Sequence, residues 1–519
     1  MDRGVVSLLS LLEQGVANRP LAPAIRAGSR TWSYADLDRE ANVLGGYFVR
    51  SGLQPGDRVA AMARNCGELA VTLFACLKCG LVFTSLNFRY SSAETLNVLT
   101  ASRAAAVVAG SAYCELIDGV RSSLEHVRLF IGIGHDGSPW TGFHSIVGKG
   151  SAGALAIPPV HHEIAILLYT SGTTGRPKGV MLGHEGLLHL AHHAVCNWKS
   201  WGEDEINLIV VPQFHVGGIV MLLVTMAARG LVILHAEFNP AAVLRSIAED
   251  RVTRVFLVPA MIQALIQAPE CAQTDFSSLR LLFYAASPMP RELLHRVMAV
   301  IGCDLAQVYG MTETSGAITY LSPEQHRRGG SREASCGYVL PGTELRIVDQ
   351  DGQDLPAGRV GEIVIRTCQL MHGYFKDAAA TAAAVRNGWF FSGDAGELDS
   401  DGYLYVRDRI KDMIITGGEN VYSAEVENVL LQHACIVDAA AVGIPDERFG
   451  EAIAAFVVIR ESHVLDEEAV RLHVRKHLAG YKIPKRVVFV SALPRNSAGK
   501  VLKDELRDEG RIAAAHVHV

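Results

Sequence analysis

The stretch LLYTSGTTGRPKGVML, residues 167–182, constrains this chain more than any other. A short apolar run leads into a segment drawn almost wholly from Thr, Ser and Gly, and Pro177, Lys178 and a second apolar run follow. A flexible linker shares that composition, but a linker seldom has a strand directly before it and a lysine with an apolar run directly after it. A loop of this kind wraps phosphate oxygens with hydroxyls and backbone N–H groups. The Walker pattern requires Gly-Lys-Ser/Thr, and GRPKG does not supply it, so this is no ordinary kinase or GTPase loop. Two rival motifs fail. GIGHDG (132–137) has dinucleotide spacing but leads into SPWTG and not a helix, and HEGLLH (184–189) misses the HExxH metalloprotease spacing by one residue.

At 519 residues the chain is too long for one compact core, so two or more domains are expected. Hydrophobic residues at 49% and charged residues at 20% mark it as globular. A formal charge of −6 argues against a general nucleic-acid binder, which needs a basic face. Among ten scattered cysteines only Cys76 and Cys79 form a CxxC pair, inside the apolar run LAVTLFACLKCGLVF. That run reads as a buried helix, with no second pair to complete a zinc site. Free thiols at this density suit a reducing cytoplasm. The start, MDRGVVSLLSLLEQGVANRP, is too short and interrupted in its apolar part for a signal peptide and reads as an amphipathic surface helix. The strongest membrane candidate, VGGIVMLLVTMAARGLVIL (216–234), is split by Arg229 and Gly230 into a helix-like and a strand-like piece, so no transmembrane segment is expected.

From about residue 160 to 310, apolar runs (IAILLYT, NLIVVP, RVFLVP, RLLFYA) alternate with helical patterns such as RELLHRVMAVIG. Such alternation predicts a mostly parallel sheet covered on both sides. Residues 20–130 repeat the style. From 335 to 408 short strands with QDG and PAG turns predict a β-rich subdomain, and residues 412–519 read as a small α+β unit.

YTSGTTGRPKG resembles the signature loop of the adenylate-forming superfamily, which includes acyl-CoA synthetases, peptide-synthetase adenylation domains and beetle luciferases. Further motifs follow in the family's order: QFHVGG (213–218), YAASPMP (284–290), QVYGMTET (307–314), GWFFSGD (388–394), RDRIKDMIITGGENVYSAEVEN (407–428) and LPRNSAGKVLK (493–503). Covering nearly the whole chain, the resemblance implies an α/β fold. A large N-terminal domain of αβαβα layers with a small β-rich subdomain (1–409) would precede a small mobile α+β C-terminal domain (410–519) carrying the catalytic lysine.

The implied chemistry joins a carboxylate to the α-phosphate of ATP, with Mg2+, and then passes the acyl group to a thiol. By resemblance, Thr170, Ser171, Gly172, Thr173, Thr174 and Lys178 hold the β- and γ-phosphates, and Ala286, Ser287, Gln307 and Gly310 join the ATP site. Tyr309 offers a ring to the adenine, Thr312 touches the α-phosphate, and Glu313 is the magnesium carboxylate. Asp394 accepts the ribose hydroxyls and Arg409 adds ribose or phosphate contacts. Lys500 bridges the carboxylate and the α-phosphate. Since Lys500 must leave before a thiol approaches, the small domain would rotate about a hinge at Lys411, bringing Gly417, Gly418 and Glu419 of GGEN to the site. Phe449 would stack on the CoA adenine, and Tyr481 and Lys485 would meet its phosphates. The family usually has Pro after NVY or NVS, whereas this chain has Ser423, a departure expected to alter loop stiffness and not the chemistry.

Relatives that activate amino acids carry an aspartate in the motif aligned with FHVGG, so His215 and Val216 disfavour an amino-acid substrate. His215 is also a catalytic candidate. Phe214, His215, Gly217, Gly218, Tyr284 and Ala285 are expected to form the acyl pocket, with small residues leaving room and aromatic ones adding walls. The 19 residues after Lys500 are too few for a carrier domain, so CoA is the expected acceptor. The expectation is a small-molecule carboxylic acid as substrate, first a medium- or long-chain fatty acid, alternatively an aryl (cinnamic, benzoic) or alicyclic acid. A stand-alone adenylation protein loading a carrier protein is the alternative class, and a homodimer is left open.

Overall fold

The structure, a computed structural model, describes residues 7–148, 160–170, 177–199, 201–287, 289–417, 419–446, 448–460, 463–495 and 501–515, with side chains as far as residue 509. The apolar runs become strands Ile164–Thr170, Ile206–Ile209, Arg254–Leu257 and Leu281–Tyr284. Their near-continuous apolar character reflects burial on both faces of a sheet. Two large sheets result. In the nine-stranded sheet, Asp304–Met311, Leu281–Tyr284, Arg254–Leu257, Ile206–Ile209 and Leu231–Leu234 run parallel in that spatial order. The eight-stranded sheet contains Val82–Ser85, Arg58–Met62 and Ala104–Gly110 in parallel, with the hairpin of Ile164–Thr170 and Lys178–Gly183 toward one edge.

Helices fill three layers around these sheets. Between them lie Tyr34–Arg50, Gly67–Cys79, His184–Asn197 and Val216–Ala227, whose apolar residues share one core with the inner faces of both sheets. Pro240–Glu249, Pro259–Gln267 and Arg291–Ile301 cover the outer face of the larger sheet, and Ser92–Ser102 and Ser111–Asp118 cover that of the other. This is the αβαβα order expected from the resemblance. Cys76 and Cys79 are buried free thiols on the helix Gly67–Cys79. The apolar stretch 216–234 divides into the helix Val216–Ala227 and the strand Leu231–Leu234, and no described helix is long and apolar enough to cross a membrane. The N-terminal helix Leu9–Asn18 buries Leu9, Leu11 and Leu12, docking one face on the core.

A separate sheet of Thr343–Val348, Gly361–Thr367, Trp389–Leu398 and their neighbours forms the β-rich part, ending with the strand Leu404–Arg409. A 3-10 turn, Ile410–Asp412, leads to the last sheet, built from strands between Ile414 and Phe489. Helices Ser423–Leu431 and Glu467–Arg475 cover one face of it. Leu506, from the helix Lys503–Ala515, is fully buried on the other with Ala440, Val442 and Phe456.

Candidate active site

The strand Asp304–Met311 carries Gln307, Tyr309 and Gly310 and runs into the 3-10 turn Thr312–Thr314, where Thr312 and Glu313 are half-buried. Gly310 is required there: a Cβ would stand 1.9 Å from the carbonyl oxygen of Gly316 on the returning strand. Asp394 and Arg409 are direct cross-strand partners, so their side chains meet on one face. Arg409 Nε donates to Asp394 Oδ1 at 2.7 Å, and the Tyr309 hydroxyl donates to Asp394 Oδ2 at 2.7 Å. Asp394 is only 4% exposed, so both bonds are made in a low-dielectric setting. Burial, with Asp394 alongside, drives the Tyr309 phenol well above its ordinary range and keeps it a donor. Three predicted nucleotide residues from three strands thus form one network. Gln307 is buried against Cys336, its amide 3.5 Å from the sulfur.

A second group joins the two large sheets. Glu313 Oε1 accepts from the Tyr374 hydroxyl at 3.0 Å, and Lys178 Nζ lies 4.9 Å from the centroid of the same ring. Tyr374 belongs to a short edge strand, Gly373–Tyr374, paired with Lys178–Gly183. Just before it, Met371 N donates to the Glu313 carbonyl at 2.8 Å, and Gln369 Nε2 donates to Ala317 O at 2.9 Å. The segment 369–374 therefore laces the signature hairpin to the Glu313 turn, and one ring separates the ammonium from the carboxylate. Burial and Glu313 both raise the Tyr374 phenol, so it too remains a donor. Residues 171–176, hence Ser171, Gly172, Thr173 and Thr174, lie outside the described residues, but their flanks Thr170 and Lys178 are cross-strand partners. Lys500 and Gly418 also lie outside the described residues.

His215 is the N-cap residue of Val216–Ala227, with its ring centroid 4.3 Å from that of Phe214. Its buried Nε2 has no hydrogen-bond partner among the described residues. Burial, helped by the Arg89 charge, holds the imidazole down at about 4, so it is neutral at physiological pH. Phe214 meets Phe88 edge to face at 5.4 Å. Gly217 is half-buried, 3.0 Å from the Phe256 ring when a Cβ is added. Two pocket expectations need correction. Tyr284 is fully buried in the core with the outer helices, its hydroxyl 2.8 Å from His326 Nε2, so it is no open pocket wall. Gly218 answers to backbone packing, because a Cβ would stand 2.4 Å from the Pro212 carbonyl oxygen. After Tyr284 the chain turns outward: Ala285 is half-buried and Ala286 and Ser287 are exposed, with Ala286 in the left-handed region at φ +73°.

In the C-terminal part, Phe449, Lys485 and Gly417 come together. Lys485 Nζ lies 3.6 Å from the Phe449 ring centroid, and Gly417 N donates to Phe449 O at 2.8 Å. Gly417 has φ +62°, which glycine adopts freely. Arg448, which the motif reading missed, lies over the same ring at 5.0 Å. Tyr481 is exposed beside Lys482, and Glu419 is exposed on the strand Glu419–Val421. Lys411 lies in the turn Ile410–Asp412, where Arg507 Nη2 donates to its carbonyl at 3.2 Å and to Asp412 Oδ1 at 2.8 Å. Tyr374 gave no local signal, because it acts through partners remote in the chain.

Residues 12–375 match the AMP-binding enzyme family, and residues 425–500 match the AMP-binding enzyme C-terminal domain. The chain is 34% identical to a fatty acid–[acyl-carrier-protein] ligase, ScoC, of Streptomyces coeruleorubidus, over 95% of this chain and 94% of that one. It is 36% identical to a feruloyl-CoA synthase of an Amycolatopsis species, over 94% and 96% of the two chains. Among solved structures, ATP-bound MatB from Rhodopseudomonas palustris superposes with a TM-score of 0.88 at 30% identity, covering 96% of this chain and 98% of that one. With family models matched over most of its length and relatives more than 30% identical along nearly all of it, the chain belongs to the AMP-binding, adenylate-forming enzymes.

Proposed function

We propose that the chain is an ATP-dependent, AMP-forming carboxylic acid–CoA ligase of the cytoplasm. The observation that carries this reading is that the strand Asp304–Met311 and the turn after it bear both Tyr309, of the Tyr309–Asp394–Arg409 network, and Glu313, of the Lys178–Tyr374–Glu313 group. Asp394 has the geometry to receive a ribose hydroxyl with Arg409 fixing its orientation. Lys178 offers a cation to the terminal phosphates. Glu313, a single carboxylate oriented by a phenol, suits magnesium that arrives on the triphosphate, since this ion keeps several waters and takes one or two carboxylates plus phosphate oxygens.

In the first half-reaction a carboxylate oxygen attacks the α-phosphorus, and diphosphate leaves with the electrons of the broken P–O bond. Lys500, by the PRNSAGK motif, screens the two anions as they approach. In the second, a thiol sulfur attacks the acyl carbon and AMP departs. A rotation of residues 410–519 about Lys411 would exchange Lys500 for the Gly417–Glu419 hairpin. Phe449, Lys485 and Arg448 then provide a ring and two cations for the CoA nucleotide. The neutral His215, whose Nε2 has no partner among the described residues, is set to meet a polar atom of the bound acyl group without imposing a charge.

A fatty acid is the first substrate reading, since apolar residues dominate the expected pocket. An aryl acid is the second, favoured by the edge-to-face Phe88–Phe214 pair beside half-buried Gly217. Diphosphate release measured over a panel of fatty, cinnamic, benzoic and alicyclic acids, with CoA and without it, tests the proposal. Turnover that requires both an acid and CoA supports it. Acid-dependent adenylation that turns over only with a carrier protein would replace CoA as acceptor.

A further inference from the structure

Ser423 stands where the family usually has proline, and the structure gives that serine two bonds that a proline cannot make. Its backbone N–H donates to Asp408 Oδ2 at 2.5 Å, and its hydroxyl donates to the same oxygen at 2.5 Å. Ala424 N approaches that oxygen at 3.4 Å. Asp408 is next to last in the strand Leu404–Arg409, which ends the large unit, whereas Ser423 begins the helix Ser423–Leu431 of the small unit. The turn Ile410–Asp412 lies between them, so these bonds close across the hinge. An anion at the first N–H groups of a helix also gains from the helix dipole.

The contact continues into the C-terminal helix. Lys503 Nζ donates to Ser423 Oγ and lies 2.7 Å from Glu427 Oε1. One turn later Arg507 holds Asp412 and the Lys411 carbonyl. Ser423 is fully buried, so its own bonds to Asp408 and Lys503 are partly shielded from water. In this orientation Gly417, Glu419 and Asn420 of the hairpin are exposed.

We propose that Ser423 and Asp408 form a latch that holds the small unit in the orientation with this hairpin in solvent, the one used before the thiol step. Both are positioning residues. The inference rests on the two-orientation reading of the proposed function. A rotation pivoting at Lys411 carries Ser423 away while Asp408 stays with the large unit, so the latch must open before thioester formation.

The test uses the full-length chain with three variants: Ser423→Pro removes both donors, Ser423→Ala removes the hydroxyl, and Ser423→Thr keeps both. Proline is well tolerated at the first position of a helix, and Ser423→Ala serves if that variant does not fold. Adenylation is read by acid-dependent diphosphate exchange, and thioester formation by single turnover of supplied acyl-adenylate with CoA. Losing hydrogen bonds to a charged acceptor shifts the ratio of thioester to adenylation rates by about tenfold toward thioester in Ser423→Pro. Ser423→Ala moves it in the same direction by less, and Ser423→Thr restores it. Trypsin cleavage within residues 409–412, followed by mass spectrometry, should quicken in parallel and needs no activity. An unchanged rate ratio and unchanged cleavage in both Ser423→Pro and Ser423→Ala would overturn the latch. Absence of both half-reactions in the unaltered chain, with faster cleavage in the variants, would sink the ligase reading and leave the latch standing.

Discussion

Replacing Tyr374 with Phe removes one hydroxyl and leaves the ring that Lys178 faces. The lost bond is the 3.0 Å contact to Glu313 Oε1. Hydrogen bonds to charged groups contribute about 1.5–3 kcal/mol. Tyr374 is 7% exposed but Glu313 is half-exposed, so water partly replaces the lost donor and the lower end applies, about 1.5 kcal/mol. At about 1.4 kcal/mol per factor of ten, kcat/KM for ATP should fall roughly tenfold. Because the effect acts on the carboxylate assigned to magnesium, it should be largest at low magnesium, and the KM of the carboxylic acid should not move. Acid-dependent diphosphate exchange at several magnesium concentrations provides the assay. Tyr374→Leu, which also removes the ring beside Lys178, should lose more. An unchanged kcat/KM for ATP in Tyr374→Phe, or an equal loss at every magnesium concentration, would show that Tyr374 does not act on ATP through Glu313.

Lys500→Ala should cripple adenylate formation by more than a hundredfold, on the scale of about 3 kcal/mol for one group stabilising a developing charge. It should spare thioester formation from supplied acyl-adenylate, so equal loss of both steps would remove its assigned role. His184 predicts a pH dependence of stability. Leu8 N donates to Nδ1 at 3.1 Å while Nε2 faces the His162 carbonyl at 3.0 Å, which fixes the neutral ring, and burial lowers its pKa to about 4. A depressed folded-state value makes this contribution complete above the unfolded value of about 6.5, and it is lost as pH falls from there toward 4. At pH 5 the loss is about 2 kcal/mol, so thermal melting should drop between pH 7 and 5 and drop less in His184→Gln. Equal drops would contradict this. Ala286→Gly should relieve the left-handed backbone at φ +73° by about 1 kcal/mol and raise the melting temperature, whereas a lower one would show that Ala286 is not strained.

Much of this architecture is legible because its strands are buried on both faces and its helices on one, which leaves apolar runs of two lengths in the chain. The same burial hides side-chain direction. In the strand Leu281–Tyr284 all four residues are apolar or aromatic and fully buried, so alternation cannot tell that Phe283 points to the inner core while Tyr284 points to the outer helices and His326. Gly218 misled for a related reason: a glycine demanded by a carbonyl behind it looks, in sequence, like one that makes room for a ligand. Tyr309, Asp394 and Arg409 were found through motif resemblance. Their bonds to one another follow from cross-strand register between Asp394 and Arg409, which no local pattern encodes. Tyr374 was invisible because its partners Lys178, on a strand of one large sheet, and Glu313, on the turn after a strand of the other, meet only where the segment 369–374 crosses between them.

The central claim is that this chain activates an organic acid as a mixed anhydride with AMP. Incorporation of labelled diphosphate into ATP, with purified protein, magnesium and a broad library of carboxylic acids, measures that step alone. Exchange should depend on an acid and disappear in Lys500→Ala. No exchange with any acid, from protein that binds ATP and melts cooperatively, would contradict it.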